Sequence, residues 1–236
     1  MPYGSTLHLL LLSLLGNTSL SVREKLIYIL VMVFCVLLSL SVHEMSHGLA
    51  AYAIGDRTAS STGRLSLNPL HHLDPFGALC LFLFGFGWAK PVPINPWNFR
   101  HKKGGMAFTA LAGPLSNFIL AFIAEIFVVV LGRMSFKSSA SFAFNLASVC
   151  YIISTYMVTV NLGLGLFNLI PIPPLDGSKI LNALLPQRIY FKIMEYEKYG
   201  FLILIILINL PGFNTFLYLC RQAVQNFYDI IITTFI

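Results

Sequence analysis

The chain has 236 residues, of which 57% are hydrophobic and only 10% are charged. Soluble globular domains carry about 25% charged residues, so this composition excludes an ordinary soluble domain and indicates a membrane protein. The formal net charge of +6 does not indicate nucleic acid as a partner, because the basic residues are scattered through short loops without a basic helix or an RNA-binding motif.

The N-terminal 25 residues are predicted to form an apolar segment at the membrane surface. Their short run Leu9–Leu15 lacks the basic start and the small-residue cleavage site of a signal peptide, so we expect no cleavage. The first segment long enough to cross about 30 Å of hydrocarbon is Leu26–Ile54, which ends at Gly55, a residue type favoured just after helices. Residues 26–220 are predicted to be the membrane-embedded core.

The end of this first span carries the motif His43-Glu44-Met45-Ser46-His47. Histidines four residues apart lie on one face of a helix and can bind one metal ion, while Glu44 can reach a neighbouring water without binding the ion. Zinc acidifies such a water, and the glutamate accepts its proton as the water attacks a peptide carbonyl. The motif can arise by chance, but ionisable residues in a membrane helix cost about 2.5 to 3.5 kcal/mol each, which favours a functional site.

The connection to the second span is expected to hold irregular structure. The alternation in Gly63–Asn68 predicts a short strand. The apolar segment Phe76–Ala89 is too short to span comfortably and contains three glycines, which predicts a re-entrant or partly buried segment. The basic loop that follows, Lys90–Lys103, is held extended by prolines.

Four further helical segments follow the basic loop: two long spans, a short helix after a proline cluster, and a span interrupted at Pro211-Gly212. Their predicted bounds are Met106–Leu131, Phe144–Leu169, Ser178–Leu185 and Tyr199–Cys220. The tail 221–236 is expected to span the membrane or lie on its surface. The predicted fold is therefore an all-α polytopic bundle of about five to six membrane segments, with a short β or re-entrant element between the first two main helices.

The lysines and arginines predict the orientation of the bundle. If Phe76–Ala89 is re-entrant, most of the basic residues lie on one side, which the positive-inside rule makes cytoplasmic. The Gly55 end of the first span and the region after Pro171 fall on that side. We therefore expect a multi-pass protein of the cell membrane whose metal-binding motif faces the cytoplasm.

A catalytic zinc site usually takes three protein ligands and a water, so the two histidines need a partner. Asp176 is the best candidate, because it follows a proline-broken helix on the same side of the membrane, and Gly177 permits a tight turn. Taken alone, these two residues also fit an ordinary Asp-Gly turn. Glu125, a lone carboxylate in the second long span, is the rival, although we expect it to pair across helices or reach water.

Three other polar residues, His71, His72 and Asp74, allow a second metal cluster. Their position in a loop beside prolines favours the simpler reading that they tie this loop to the membrane surface.

The HExxH motif in a membrane helix, followed far downstream by Asn168–Gly177 with the pattern NxxPxxxLDG, resembles the site-2 protease family of intramembrane zinc metalloproteases. Many relatives carry a PDZ or CBS domain, which these 236 residues do not include, and the resemblance is to compact bacterial and archaeal members. It extends from about Leu26 to Leu210. Three stretches also look like those members: Gly63–Pro69, Gly87–Pro93 and Gly113–Asn117.

The resemblance implies one Zn²⁺ held by His43, His47 and Asp176, with Glu44 as the general base. It also implies that the Asn168 side chain engages the substrate backbone or the developing oxyanion. For Asn168, a buried hydrogen bond between helices is at least as good an interpretation.

The expected function is hydrolysis of peptide bonds within or near transmembrane segments of other membrane proteins. The expected partners are those substrates, the lipid bilayer and a regulatory membrane protein. The alternative is a proteolytically inactive zinc-binding scaffold for client helices, which would not need Glu44. A zinc transporter is disfavoured because the sequence has no inverted repeat. The extended segment Lys90–Asn98 could pair with an unwound substrate strand through backbone groups.

Overall fold

The computed structural model of the chain describes residues 21–77, 89–134, 142–186 and 197–235, together with Gly16 and Ile189. Within these ranges the structure is all-helical, which confirms the predicted helical class. The α-helices in these ranges are α1 (Val22–Ala53), α2 (Thr58–Ser61), α3 (Lys102–Arg133), α4 (Phe142–Asn168), α5 (Asp176–Leu184), α6 (Gly200–Asn209) and α7 (Pro211–Phe235).

Three of these helices, α1, α3 and α4, are long and apolar enough to cross a membrane. The described part of the chain holds up to four spans if α6 and α7, which are bent by 80° where they meet, count as one. The predicted interruption lies at this bend, because Pro211 starts α7 and its ring cannot continue a preceding helix. The three to four spans do not confirm the predicted five to six segments.

Local sequence signals fix both ends of α1. At its start, the Ser21 hydroxyl accepts a hydrogen bond from the Glu24 N–H, and the Glu24 carboxylate accepts one from the Ser21 N–H. This reciprocal capping box satisfies donors that a helix start leaves unpaired. At its end, Gly55 has a φ of +107°, which glycine adopts without a Cβ clash. The helix therefore ends at Ala53, just under two turns beyond His47.

The core lies where α1, α3 and α4 meet. Small buried residues such as Cys35 and Ala121 let the helix backbones approach closely, and Val158 and Leu162 fill the remaining space. The outer faces of the same helices carry exposed apolar side chains, including Phe34. This pattern suits a bundle whose surroundings are as apolar as its core.

The connection between α1 and α3 departs from the predicted strand. Residues 64–68 have no regular secondary structure and form no β-ladder with any other described segment. Instead, the Arg64 guanidinium donates to the carbonyl oxygens of Lys90 at 2.8 Å and Pro91 at 3.2 Å. A ladder is disfavoured here because prolines 91 and 93 supply no N–H. Most of the predicted re-entrant segment, residues 78–88, lies outside the described residues.

The carboxylate of Asp56, directly after α1, anchors the other end of this connection. It is fully buried and accepts hydrogen bonds from the Asn95 N–H and the Asn98 amide, each at 2.7 Å, and from the N–H and hydroxyl of Thr58. Burial alone raises the pKa of Asp56, but these hydrogen bonds outweigh it and hold the pKa below its ordinary value. Asp56 is therefore an ionised anchor at neutral pH.

The predicted division into 1–25, 26–220 and 221–236 stays a prediction. The first segment lies almost entirely outside the described residues. At the other end, α7 continues without a break through residue 220.

Candidate metal centre

Three ligand atoms come together from two histidines one turn apart in α1 and from the first residue of α5. The Nε2 atoms of His43 and His47 lie 3.1 Å apart, and each lies 3.1 Å from Oδ2 of Asp176. All three side chains are buried. Bonds of 2.0 to 2.2 Å at tetrahedral angles separate zinc ligands by roughly 3.3 Å, so this triangle has the size of one face of a zinc site.

The hydrogen-bond partners of the two imidazole rings determine which ring nitrogen carries a proton and which presents a lone pair to the centre. The His47 Nδ1 lies 2.7 Å from the carbonyl oxygen of Thr109, and the His43 Nδ1 lies 2.6 Å from Oδ1 of Asn117. Oxygen acceptors require a proton on each Nδ1, so each neutral ring presents a lone pair at Nε2. Two such lone pairs and a carboxylate oxygen repel one another unless a cation lies among them. The donor set therefore fits zinc.

Gly113 in α3 makes room for the two rings. A Cβ placed on Gly113 would lie 2.5 Å from Nε2 of His47 and 2.6 Å from Cε1 of His43. Real Cβ atoms do not approach other atoms this closely, so any other residue here would displace the rings. The glycine lets α3 pack directly against the face of α1 that carries the ligands.

Asp176 reaches the histidines because the chain turns sharply after α4. A proline-rich turn follows Asn168, and α5 begins at Asp176. A Cβ on Gly177 would collide with the backbone carbonyls of Leu169 and Ile170. Gly177 lies within α5 and has no positive φ, so its function is close approach and not the tight turn that the sequence suggested.

The other carboxylate oxygen of Asp176 pairs with a partly exposed lysine. Its Oδ1 lies 3.1 Å from Nζ of Lys179, whose side chain is 43% exposed. A partly exposed ammonium group beside a buried carboxylate indicates that this side of the centre adjoins a polar medium.

Glu44 contacts the extended segment that follows residue 88. Its Oε2 accepts a hydrogen bond of 3.1 Å from the Val92 N–H. The buried Val92 side chain packs against Gly48, one turn farther along α1. This hydrogen bond holds one of the two carboxylate oxygens of Glu44 in place.

This contact changes the expected role of the extended segment. The backbone N–H groups of Lys90, Val92 and Asn95 already donate to His72, Glu44 and Asp56 respectively. In the described part of the chain, only the Ile94 N–H of residues 90–95 donates to no acceptor. Pairing with a substrate strand, which stays a hypothesis, would have few donors available on this segment.

Asn168 and Glu125 form hydrogen bonds with groups other than the three ligand atoms. The Asn168 amide donates to the carbonyl of Leu164 in its own helix at 3.1 Å, so its predicted contact with substrate stays a prediction. The buried Glu125 carboxylate accepts from Nε2 of Gln225 in α7, at 3.2 and 3.4 Å. Glu125 thus pairs across helices, as expected, and is not in the metal-compatible group.

The alternative second cluster does not assemble. Nε2 of the buried His72 donates to the carbonyl of Ser66 at 2.7 Å, and the Asp74 carboxylate accepts from the Gly77 N–H at 2.7 Å. The only group of His, Cys, Asp and Glu close enough to hold a metal, among the residues with a described position, is His43, His47 and Asp176.

Two residues that support the centre were not predicted from the sequence to be functional. Asn117 contacts a ligand ring directly, and Asn161 of α4 contacts Asn117. Both are fully buried. The sequence feature that could have identified them is an asparagine in the middle of an apolar helix, because its side-chain amide must find a partner within the bundle.

An apolar helical bundle in which the HExxH histidines meet a distant aspartate defines a class of polytopic metalloproteases. The chain belongs to Peptidase family M50, whose family profile matches residues 31–209. The resemblance to the site-2 protease family is thereby confirmed.

Relatives with similar sequences carry names of the same kind. The chain is 39% identical over 180 residues to "Putative zinc metalloprotease YwhC" of Bacillus subtilis, covering 76% of this chain and 80% of that protein. It is 29% identical over 203 residues to "Putative zinc metalloprotease Rip2" of Mycolicibacterium smegmatis, covering 82% of this chain and 71% of that protein. No solved structure matches the chain.

A third relative matches over a shorter region. It is "Putative zinc metalloprotease MJ0611" of Methanocaldococcus jannaschii, 39% identical over 106 residues, which cover 45% of this chain and 49% of that protein. The bacterial and archaeal relatives agree in naming a zinc metalloprotease.

Proposed function

We propose that this chain is a zinc endopeptidase that hydrolyses peptide bonds within or near transmembrane segments of other membrane proteins. The observation that carries the proposal is the convergence of three buried ligand atoms, from His43, His47 and Asp176, inside an apolar bundle. Glu44, adjacent to the first ligand, supplies a carboxylate that metal binding does not need. The family and the names of the relatives support metalloprotease chemistry.

One Zn²⁺ ion at this centre would polarise the scissile carbonyl and acidify a water. Residues of the chain then transfer the proton of this water. The Val92 N–H holds Oε2 of Glu44, so Oε1 accepts the proton of the attacking water and passes it to the leaving amine. Asn168, at the end of α4, is proposed to bind the substrate backbone or the developing oxyanion after its amide leaves the Leu164 carbonyl.

Water and substrate are proposed to enter from the cytoplasmic side. Hydrocarbon supplies no water, and the exposed Lys179 beside Asp176 places a polar surface near the centre. A substrate helix must unwind locally, because its own backbone hydrogen bonds shield the scissile carbonyl. The substrates are therefore proposed to be single transmembrane segments that unwind readily, delivered or withheld by a regulatory membrane partner.

The decisive experiment compares wild type with Glu44→Gln after purification in detergent. Zinc content is measured first, and cleavage is then assayed on a panel of single-span substrates. We expect Glu44→Gln to keep its zinc and to lose cleavage by a factor of about 10² to 10⁴, the usual contribution of a general base. Ser46→Ala is the matched control, because the Ser46 hydroxyl donates only to the Val42 carbonyl of its own helix.

The rival function is a proteolytically inactive zinc scaffold that retains client helices. It predicts that wild type binds zinc and client segments without cleaving any of them, and that Glu44→Gln changes nothing. Cleavage that persists in Glu44→Gln would instead overturn the proposed role of Glu44.

A further inference from the structure

A chain of buried hydrogen bonds connects His43 to the backbone of its own helix through two neighbouring helices. The His43 Nδ1 lies 2.6 Å from Oδ1 of Asn117 in α3, and Nδ2 of Asn117 donates to Oδ1 of Asn161 in α4 at 2.7 Å. Nδ2 of Asn161 donates to the Ser39 hydroxyl at 2.8 Å. That hydroxyl donates to the carbonyl of Cys35 in α1 at 2.7 Å.

The polarity of this chain is fixed at its far end. The backbone carbonyls of Cys35 and Met157 can only accept, so the Ser39 hydroxyl must donate to the first and the Asn161 amide nitrogen to the second, at 2.8 Å. Asn161 therefore presents its oxygen to Asn117. The Asn117 amide nitrogen must donate to that oxygen, which leaves the Asn117 oxygen facing His43.

We infer that Asn117 is a positioning residue for the metal centre, oriented by Asn161 and Ser39. Its oxygen accepts the Nδ1 proton of His43, which leaves the Nε2 lone pair for the ion and fixes the plane of the ring. The inference rests on the proposed zinc function. It states that residues other than the metal-binding residues determine which His43 nitrogen binds the ion. Asn117, Asn161 and Ser39 are all fully buried, so water cannot replace any member of the chain.

The two ligand histidines are held in different ways. The His47 ring donates to the Thr109 carbonyl, a backbone acceptor that no substitution removes. The His43 ring depends on a side chain, so His43 is the ligand that a substitution outside the centre can misorient. The chain also joins α1, α3 and α4, and correct packing of all three helices is therefore needed to present this lone pair.

The test compares Asn117→Leu with Asn117→Asp in the full chain purified in detergent. Both variants keep a side chain of similar size and lose the amide donor to Asn161, but only aspartate retains an oxygen for the Nδ1 proton. The readout is zinc affinity, measured by competition with a chromogenic chelator. We expect zinc affinity to fall about 10- to 100-fold in Asn117→Leu and to recover in Asn117→Asp to within about threefold of wild type.

Asn161→Leu tests the second link without touching His43 or any ligand. We expect a smaller loss of zinc affinity than in Asn117→Leu, because the Asn117 amide can then turn its nitrogen toward the ring. Ser41→Ala is the control: Ser41 is as buried as Ser39 and donates to the Leu37 carbonyl at 2.7 Å, but it lies outside the chain. Its zinc affinity should equal that of wild type.

Equal zinc affinities in Asn117→Leu and Asn117→Asp would overturn the inference, as would wild-type affinity in both Asn117→Leu and Asn161→Leu. Thermal unfolding of each zinc-free variant identifies any that fails to fold. If Asn117→Leu fails, the comparison of Asn161→Leu with Ser41→Ala decides: a selective loss in Asn161→Leu supports the inference, and equal affinities overturn it. A wild-type protein that binds zinc but cleaves nothing would overturn the proposed function and leave this inference intact.

Discussion

Gly113 contributes to the centre by having no side chain. Its position in α3 leaves the space that the imidazoles of His43 and His47 fill. With a larger residue at position 113, either α3 would shift away from α1 or both rings would rotate. Either change would separate the ligand atoms. At residue scale, the geometry of the candidate centre therefore depends on the shape of a helix surface as much as on His43, His47 and Asp176.

Gly113→Ala should lower zinc affinity by about 100-fold or more, because it displaces two ligands at once. Gly132→Ala is the matched control in the same helix, since a Cβ there would meet its nearest neighbour, Tyr151, at an ordinary 3.7 Å. Alanine favours a helix over glycine by up to about 1 kcal/mol, so the control should be as stable as wild type or more so. Zinc affinity of wild-type strength in Gly113→Ala would contradict the packing described here.

At the scale of elements, the extended segment between residues 89 and 95 is held at both ends. Arg64 and His72 bind its first residues, and Asp56 binds its last. The middle of the segment, at Val92, contacts Glu44. This arrangement holds the segment in place beside Glu44.

Two proline substitutions separate this role from pairing with a substrate strand. Val92→Pro removes the N–H that holds Glu44 and should slow cleavage by about tenfold or more while zinc content stays unchanged. Ile94→Pro removes an N–H that donates to no acceptor within the described segments, so it should slow cleavage only if a substrate strand pairs there. Cleavage at the wild-type rate in Val92→Pro would show that this hydrogen bond does not orient the base.

The anchor at Asp56 predicts a pH dependence of stability. The folded pKa of Asp56 lies below the unfolded value of about 3.9, so its ionised form stabilises the fold fully above that value. This stabilisation is lost as the pH falls through the folded pKa. Asp56→Asn should therefore melt at a lower temperature than wild type at pH 7, and the difference should shrink below about pH 4. Melting in detergent across this range tests it, and a difference that does not change with pH would contradict the assignment.

At the scale of the whole molecule, the buried carboxylates of Asp176 and Glu125 have different partners. Asp176 meets the histidines at one end of the α1–α3 interface, whereas Glu125 meets Gln225 where α3 and α7 pack. Asp176→Asn should reduce zinc affinity at least tenfold, and Glu125→Gln should leave it unchanged. Chelator competition on both variants measures this, and zinc loss in Glu125→Gln would reinstate Glu125 as a ligand.

The sequence alone determined the helical class, the three long spans and the pair of histidines on α1. Each of these depends on local physics: about 20 apolar residues suffice to favour a membrane span, and a helix places residues four apart on one face. Asp176 was the best candidate for the third metal-binding residue because it follows a proline-broken helix, and the family resemblance implied the same role. The helical class, the long spans and the facing histidines need no information from the rest of the chain, whereas the meeting of Asp176 with the histidines does.

Only the tertiary structure brought Asp176 to the histidines and Glu125 to Gln225. It also decided that Gly177 permits close approach, that the Val92 N–H holds Glu44, and that a chain through Asn117 orients His43. These outcomes depend on which helix faces meet and at what distance. Packing among all the helices sets those distances, so the pattern of a single segment could not determine them.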